Sequence, residues 1–224
     1  MFSRIAENQT AQETRLERLA AHKSNYWIGF ISDPATAIFF VVWDAWVLHG
    51  KLALLAVWYL AGVFSWTLFE YVFHRWVYHR GETLAHAGHR MHHEHPKMLI
   101  GMPWFMTTGF LWLVWYLFSY KLEVHYLVTY MTGLVTGFIV YSAMHHIHHH
   151  FNFRSSWNRK LYAHHQIHHK FPNFNFGVTN RFWDHVFGTV YRKQSTRVPA
   201  KERASQTYLS YIWRLANAAQ SRWR

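Results

Sequence analysis

Histidine carries the clearest chemical signal in this chain, because 20 of its 224 residues are histidines and most of them stand in four short clusters. Residues 74–79 form an H-x4-H element and residues 89–93 form an H-x2-H-H element. The run 145–150 contains an H-x3-H element, and residues 165–169 repeat H-x2-H-H. Imidazole binds Zn, Cu, Fe and Ni, so the clusters predict a metal centre without choosing the metal.

The spacing within each cluster indicates helices that carry histidines on one face. Residues three or four apart share a helix face, so the three histidines of each H-x2-H-H element can point at one place. His74 and His79 are five apart, and we expect their helix to end or distort between them. The four elements supply ten imidazoles, which suit two metal ions with five each and one open position apiece for oxygen.

Composition narrows the chemistry and the partners. The chain has no cysteine, which excludes a disulfide framework, a thiolate zinc site and an iron–sulfur cluster. No Glu-x-x-His motif lies near the clusters, so a dimetal centre would be almost purely histidine, unlike the soluble di-iron bundles. The net charge of +12 indicates an anionic partner. Because apolar blocks separate the basic residues, we expect a membrane surface and no nucleic acid.

Apolar blocks must position these clusters, and they predict an all-α integral-membrane bundle of about four transmembrane helices. The blocks cover residues 35–48, 52–73, 102–120 and 126–144. The last three approach the length of about 20 residues that a hydrocarbon core of about 30 Å requires. The first block is short, and it spans only if its helix tilts or extends back through Trp27. A soluble helical core is the alternative interpretation.

Short connections pair the blocks as two helical hairpins. Their tips hold Lys51 and Lys121, whereas the other 21 of the 23 basic residues lie on the opposite side. The positive-inside rule then places both termini and every histidine cluster on the cytosolic face, as a helical cap. Residues 1–33 are then an N-terminal amphipathic, cytosolic segment, 34–192 the membrane domain and 193–224 a basic C-terminal tail.

The order of the four histidine elements resembles the fatty acid hydroxylase superfamily. That group includes fatty acid 2-hydroxylases, sphingolipid hydroxylases, sterol C-4 oxidases and sterol C-5 desaturases. Residues 66–71, W-T-L-F-E-Y, resemble the W-T-x-x-E-Y lead-in of the fatty acid 2-hydroxylase branch. F-G-V-T at 176–179, F-W-D at 182–184 and F-G-T at 187–189 are similar to the closing segment of the superfamily. The resemblance runs from about residue 35 to 192.

The resemblance implies which histidines bind metal. The run 145–150 offers two pairs of histidines four residues apart, His145 with His149 and His146 with His150. Tyr141 resembles the lead-in of this element and favours the pair His145 and His149. Ser142 departs from the 2-hydroxylase branch, which usually has Asp there. The implied ligands are His74, His79, His89, His92, His93, His145, His149, His165, His168 and His169.

The resemblance also implies a reaction. We expect two iron ions, O2 and the hydroxylation of a C–H bond in a membrane lipid, in the first place a fatty acyl chain. Imidazole sites bind zinc tightly, so zinc in a preparation would not exclude iron in the cell. No b5-type haem motif is visible, so we expect electrons from a separate donor, a ferredoxin or a b5-type cytochrome with its reductase. Desaturation, or oxidation of sterol or carotenoid rings, is the alternative on the same fold.

A protein that stores, senses or transports Zn or Ni is the alternative of another class. The run 145–150 by itself could be a promiscuous metal-binding tract. A transporter needs polar ligands near the bilayer midplane. The apolar blocks over 52–73, 102–120 and 126–144 are almost free of such residues, which favours the enzyme.

Two acidic residues could support the ligands. Glu70 lies one turn before His74 and could orient a ligand ring through its second nitrogen, and Asp184 in the closing segment is a similar candidate. Asp44 lies near the far end of its block, where we interpret it as interfacial. The histidines that we do not expect to bind metal are His22, His49, His86, His95, His125, His146, His148, His150, His164 and His185.

Overall fold

The structure is a computed structural model that describes residues 15–152 and 155–192. Its regular elements in this part of the chain are helices, which confirms the all-α prediction. The α-helices are α1 (Arg15–Ala20), α2 (Lys23–Val47), α3 (Leu52–Val72), α4 (Leu84–Glu94), α5 (Trp104–Trp115), α6 (His125–His150), α7 (Ser156–Lys170) and α8 (Phe182–Val186). π-Helical segments continue α3 and α5, over Phe73–Tyr78 and Tyr116–Lys121. Of the predicted N-terminal amphipathic helix only α1 lies within the described residues, and the basic tail lies outside them.

Three helices are long and apolar enough to cross a membrane: α2, α3 with its π-helical continuation, and α6. Helix α2 begins at Lys23, so the first block does extend back through Trp27. The block over 102–120 forms α5, with 12 residues, and a π-helical segment of six. This stretch is not among the helices of the described chain that are long and apolar enough to span, so three of the about four predicted spanning helices are found.

Helices α3 and α6 pack closely because glycines line their contact. A Cβ at Gly62 would lie 2.0 Å from the carbonyl oxygen of Tyr130, and one at Gly133 would lie 2.1 Å from the carbonyl oxygen of Tyr59. Such backbone contact is typical of small residues in membrane helix pairs. Gly133 and Gly137 form a G-x-x-x-G motif, a local signal of this contact that the lengths of the apolar blocks do not reveal. The contact brings the histidine-bearing ends of both helices together.

Two buried aspartates connect α2 to its neighbours. Asp44 is 1% exposed and accepts a hydrogen bond of 2.6 Å from the Thr129 hydroxyl of α6. Its other oxygen lies 3.7 Å from Nδ1 of His125. Asp44 is therefore buried between helices near the end of α2, and its position at the membrane interface stays a prediction. Asp33, 6% exposed, accepts a bond of 2.7 Å from the Thr108 hydroxyl of α5.

Candidate metal centre

The ten histidines implied as ligands lie together in two groups of five. Within each group, one ring nitrogen from every histidine lies within 4.8 Å of the others. The first histidine group contains His74, His79, His89, His93 and His168. The second histidine group contains His92, His145, His149, His165 and His169. Either group could hold a metal ion, and the role of each residue as a ligand stays a prediction.

Each H-x2-H-H element serves both groups. Helix α4 places His89 and His93 in the first group and His92 in the second, and α7 places His168 in the first group with its two other histidines in the second. Neighbouring residues project about 100° apart around an α-helix, so His92 and His93 diverge while His89 stays within reach of His93. Our expectation that all three would point at one place is wrong for this reason.

The H-x4-H element coincides with a helix distortion, as its spacing predicted. The chain changes from α-helix to π-helix over Phe73–Tyr78. The wider turn brings residues five apart closer to one face, and such segments are frequent at functional sites. His74 and His79 therefore both reach the first histidine group.

The short distances between ring nitrogens in the first histidine group fit nitrogens that bind one common cation better than nitrogens that hydrogen-bond to one another. Nε2 of His89 lies 3.0–3.1 Å from the Nε2 atoms of His74, His79 and His93. A neutral imidazole has one N–H, so one ring nitrogen cannot satisfy three such neighbours. Two nitrogens bound at right angles to one metal ion, each about 2.1 Å from it, stand about 3.0 Å apart. The residues present therefore fit a metal ion in the first group.

Burial keeps the grouped histidines of α4 and α7 neutral at pH 7. It lowers the pKa of His93 to about 4. Burial, with repulsion from His93 and His149, lowers the pKa of His169 to about 3. Burial, followed by repulsion from neighbouring histidines, also holds the pKa of His89 well below its usual value. A neutral ring offers a lone pair to a metal, so the unloaded site needs little deprotonation before binding.

Two rings of the first histidine group are oriented by backbone carbonyls. Nδ1 of His74 bonds to the Phe176 carbonyl, and Nδ1 of His168 bonds to the Phe174 carbonyl at 2.8 Å. A carbonyl only accepts, so it requires Nδ1–H and leaves the Nε2 lone pair for a metal. The segment around residue 175 thus sets the tautomer of two predicted ligands.

Glu70 acts on this segment rather than on a ligand ring. It accepts hydrogen bonds from the backbone N–H groups of Val178, at 2.6 Å, and Thr179, at 2.9 Å, and from the Thr179 hydroxyl. The Nδ1 atom of His74, which we expected Glu70 to orient, bonds instead to the Phe176 carbonyl. Glu70 is 2% exposed, and these donors satisfy both of its buried oxygens.

Asp184 holds the preceding part of the same segment. It accepts from the backbone N–H groups of Phe176 and Gly177, both at 2.8 Å, and from the Thr189 hydroxyl at 2.7 Å. Its fourth partner is Nε2 of His164, at 2.8 Å. From the sequence, His164 is only a neighbour of the predicted ligand His165. Nothing in its spacing indicates the hydrogen bond to Asp184.

The second histidine group has fewer such anchors. Nδ1 of His165 and Nδ1 of His169 are buried and have no hydrogen-bond partner among the described residues. The Nε2 atom of His145 is also buried and without a partner there. These rings are held by packing, for example His165 against His145 with ring centroids 4.8 Å apart.

A cavity of about 190 Å³ opens beside the second histidine group. His92, His145 and His149 of that group line it, together with His89 of the first. From the histidines the cavity runs between α2 and α6 into the apolar part of the bundle. Its apolar wall includes Phe30, Pro34, Leu84, Met98, Phe138 and Ile139.

His146 and His150 lie at this cavity and outside both histidine groups. Their rings stack with centroids 4.4 Å apart, and Nδ1 of His146 lies 2.9 Å from the Tyr26 hydroxyl of α2. This placement favours the register that puts His145 and His149 at the metal centre. It also ties the cavity end of α6 to α2.

Comparison with known proteins places this site in a family. A family model described as fatty acid hydroxylase matches residues 59–189, more than half of the chain. The chain belongs to the fatty acid hydroxylase family. The match includes all ten grouped histidines, Glu70 and Asp184.

Relatives within the fatty acid hydroxylase family act on lipids. A dihydroceramide fatty acyl 2-hydroxylase of Arabidopsis thaliana is 30% identical over 63% of this chain and 62% of its own length. A ceramide very long chain fatty acid hydroxylase of Schizosaccharomyces pombe is 32% identical over 58% of this chain and 41% of its own length. The chain thus spans less than two thirds of either relative. Among solved structures, the hydroxylase domain of scs7p matches 81% of this chain and 72% of its own, with 26% identity and a TM-score of 0.63.

Proposed function

We propose that this chain is an O2-dependent di-iron enzyme that hydroxylates a C–H bond in the fatty acyl chain of a membrane lipid. The observation that carries the proposal is the pair of five-histidine groups beside a cavity with apolar walls. The relatives named as fatty acyl hydroxylases support the reaction class. Their names do not specify the metal, and iron is our choice among the ions that imidazole binds.

In this proposal the two histidine groups hold one iron ion each, and the ten grouped histidines are the ligands. The bound iron pair would supply the oxidising power that breaks an unactivated C–H bond. Glu70 and Asp184 are positioning residues, because they hold the segment whose carbonyls orient His74 and His168. These residues keep two rings in the tautomer that binds metal through Nε2.

The cavity would bind the acyl chain and bring one carbon to the second histidine group. Its apolar wall excludes water from the reacting carbon, which protects the oxidation from side reactions. Two of the helices able to span a membrane, α2 and α6, line this cavity, which supports the entry of a lipid tail between helices. The basic residues on the histidine side favour a cytosolic site. There a separate donor, a ferredoxin or a b5-type cytochrome with its reductase, would deliver electrons.

Lipid mass spectrometry tests the proposal. A host expresses the intact chain, a variant with His92→Ala and His168→Ala, which removes one histidine from each group, or His95→Ala as a control outside both groups. We expect one lipid class to gain one oxygen with the intact chain and with His95→Ala, and not with the double variant. A loss of two hydrogens instead would identify a desaturase. Unchanged lipids together with loosely exchanging metal would overturn the proposal in favour of metal handling.

A further inference from the structure

The cavity contains a buried carboxylate that the proposed chemistry does not use. Asp33 of α2 lines the cavity and is 6% exposed. One of its oxygens, Oδ1, accepts hydrogen bonds from the hydroxyls of Thr108, at 2.7 Å, and Thr107, at 3.3 Å. Its other oxygen, Oδ2, has no hydrogen-bond partner among the described residues and is not one of the fully buried side-chain atoms, so it is open to a donor group inside the cavity.

A second acceptor lies on the same wall. Pro34 lies inside α2 and has no N–H, so the carbonyl of Phe30 lacks its usual helical donor. Phe30 and Pro34 both line the cavity. The Thr107 hydroxyl already bonds to Asp33 and the Tyr26 hydroxyl to His146. The α2 wall of the cavity therefore offers two acceptors, Oδ2 of Asp33 and the Phe30 carbonyl, that these two hydroxyls do not occupy.

The position of Asp33 relates this wall to the metal centre. The hydroxyl of Tyr26 on α2 contacts His146, which adjoins a histidine of the second group. Asp33 follows Tyr26 by seven residues, which is about 10 Å along a helix axis. One extended lipid can thus contact the histidines and Asp33 at the same time.

We propose that Asp33 is a substrate-recognition residue that accepts a hydrogen bond from a hydroxyl or amide N–H group on the lipid. The bound lipid would then carry a donor group inside the cavity while another of its carbons lies at the histidines. This deepens the proposed function by assigning a specificity-determining residue to the cavity. It rests on that function only in taking a lipid as the occupant of the cavity.

Binding of three single-chain probes of equal length tests this assignment without turnover. The probes are hexadecanol with a hydroxyl donor, N-methylpalmitamide with an amide donor, and methyl palmitate with none. Affinity for the purified full chain in detergent is measured from ligand-dependent thermal stabilisation. We expect at least one donor probe to bind about tenfold or more tightly than methyl palmitate, as is typical of a hydrogen bond to a charged group. The probe that does so identifies the donor.

Substitution of the carboxylate should reverse this preference. In Asp33→Asn, the amide oxygen can keep the threonine hydroxyls, so its NH2 group takes the place of Oδ2 and favours the ester carbonyl of methyl palmitate. Asp33→Leu should abolish the preference. The leucine variant leaves Thr107 bonded to the Trp104 carbonyl and Thr108 bonded to Ser32, so both hydroxyls retain a partner.

Asp44→Asn is the matched control. Asp44 is a buried aspartate of the same helix that also accepts a threonine hydroxyl, and it does not line the cavity. We expect it to leave the order of the three probes unchanged. Equal binding of all three probes to the unaltered chain, or an unchanged preference in Asp33→Asn, would overturn the assignment. Lipid hydroxylation is not measured, so a failed proposed function would leave these results interpretable.

Discussion

The two histidine groups contain five histidines each and differ in how their rings are held. Backbone carbonyls orient two rings of the first group, His74 and His168. In the second group, Nδ1 of His165 and of His169 has no partner in the described part of the chain, and three members of the group line the cavity. The comparison indicates that the first histidine group is the more rigid site, and that the second, which faces the cavity, is the more adaptable one.

The rigid site is maintained by residues far from it in the sequence. Glu70 precedes the histidines and Asp184 follows them, yet both bind the segment that contacts the first histidine group. Buried carboxylates are stable only when they are hydrogen-bonded, and here backbone N–H groups supply that stabilisation. The hydrogen bonds that satisfy two buried carboxyl groups are thus connected to the orientation of two predicted metal ligands.

Removing one ligand from either group should have the largest effect. We expect His168→Ala and His165→Ala each to reduce the bound metal from two ions to about one per chain. Hydroxylation should fall by more than about 100-fold, because even the loss of an outer partner of a ligand costs about 10–100-fold. Elemental analysis of the purified variants, with His95→Ala as control, measures the metal. Retention of two ions in both variants would refute the division into two sites.

A chelator should remove the metal ions of the two histidine groups at different rates. At pH 7, we expect the ion of the second histidine group to leave at least about tenfold faster than that of the first, because fewer outer partners orient its ligands. The ion that remains is assigned by repeating the experiment with His165→Ala, which should show only the slow phase. Two ions leaving together, or a fast phase that persists in this variant, would contradict the asymmetry.

Glu70→Gln should weaken the first site selectively. The glutamine oxygen can still accept from the backbone N–H groups of Val178 and Thr179, but its NH2 group would replace the oxygen that now accepts the Thr179 hydroxyl. We expect the first site to lose about tenfold in metal affinity, and the second to change little. Competition with a metal indicator gives both affinities, and Glu94→Gln, on an exposed residue of α4, is the control. An equal loss at both sites would mean that Glu70 stabilises the fold as a whole.

Acid should lower the stability of the metal-free chain by protonating histidines of both groups. Because both groups respond in the same direction, we expect the smallest difference between them here. The pKa of His93 in the first group is lowered by burial to about 4, and that of His169 in the second to about 3. Unfolded histidines take up protons below about pH 6.5, so unfolding binds protons and stability falls as the pH decreases from there. We expect the melting temperature to decline between pH 6.5 and 4. His93→Gln should decline less steeply, and an identical slope would contradict the pKa assignment.

The sequence by itself determined the helices, the ten histidines and the distortion within the H-x4-H element. These features depend on local periodicity: apolar runs long enough for a bilayer, and histidine spacings that match or miss a helical turn. The G-x-x-x-G motif of α6 is equally local, and it too can be recognised without a structure.

Only the tertiary structure decided which histidine joins which group. Periodicity gives the angle between His92 and His93 but not the neighbour that each one faces, because the partner helix lies about 75 residues further along the chain. The same holds for the carbonyls that orient His74 and for the donors that surround Glu70, each more than 100 residues away. The open oxygen of Asp33 is likewise a property of the packing of α2 against α5. Contacts between distant segments leave no periodic pattern in the sequence, so only the tertiary structure shows them.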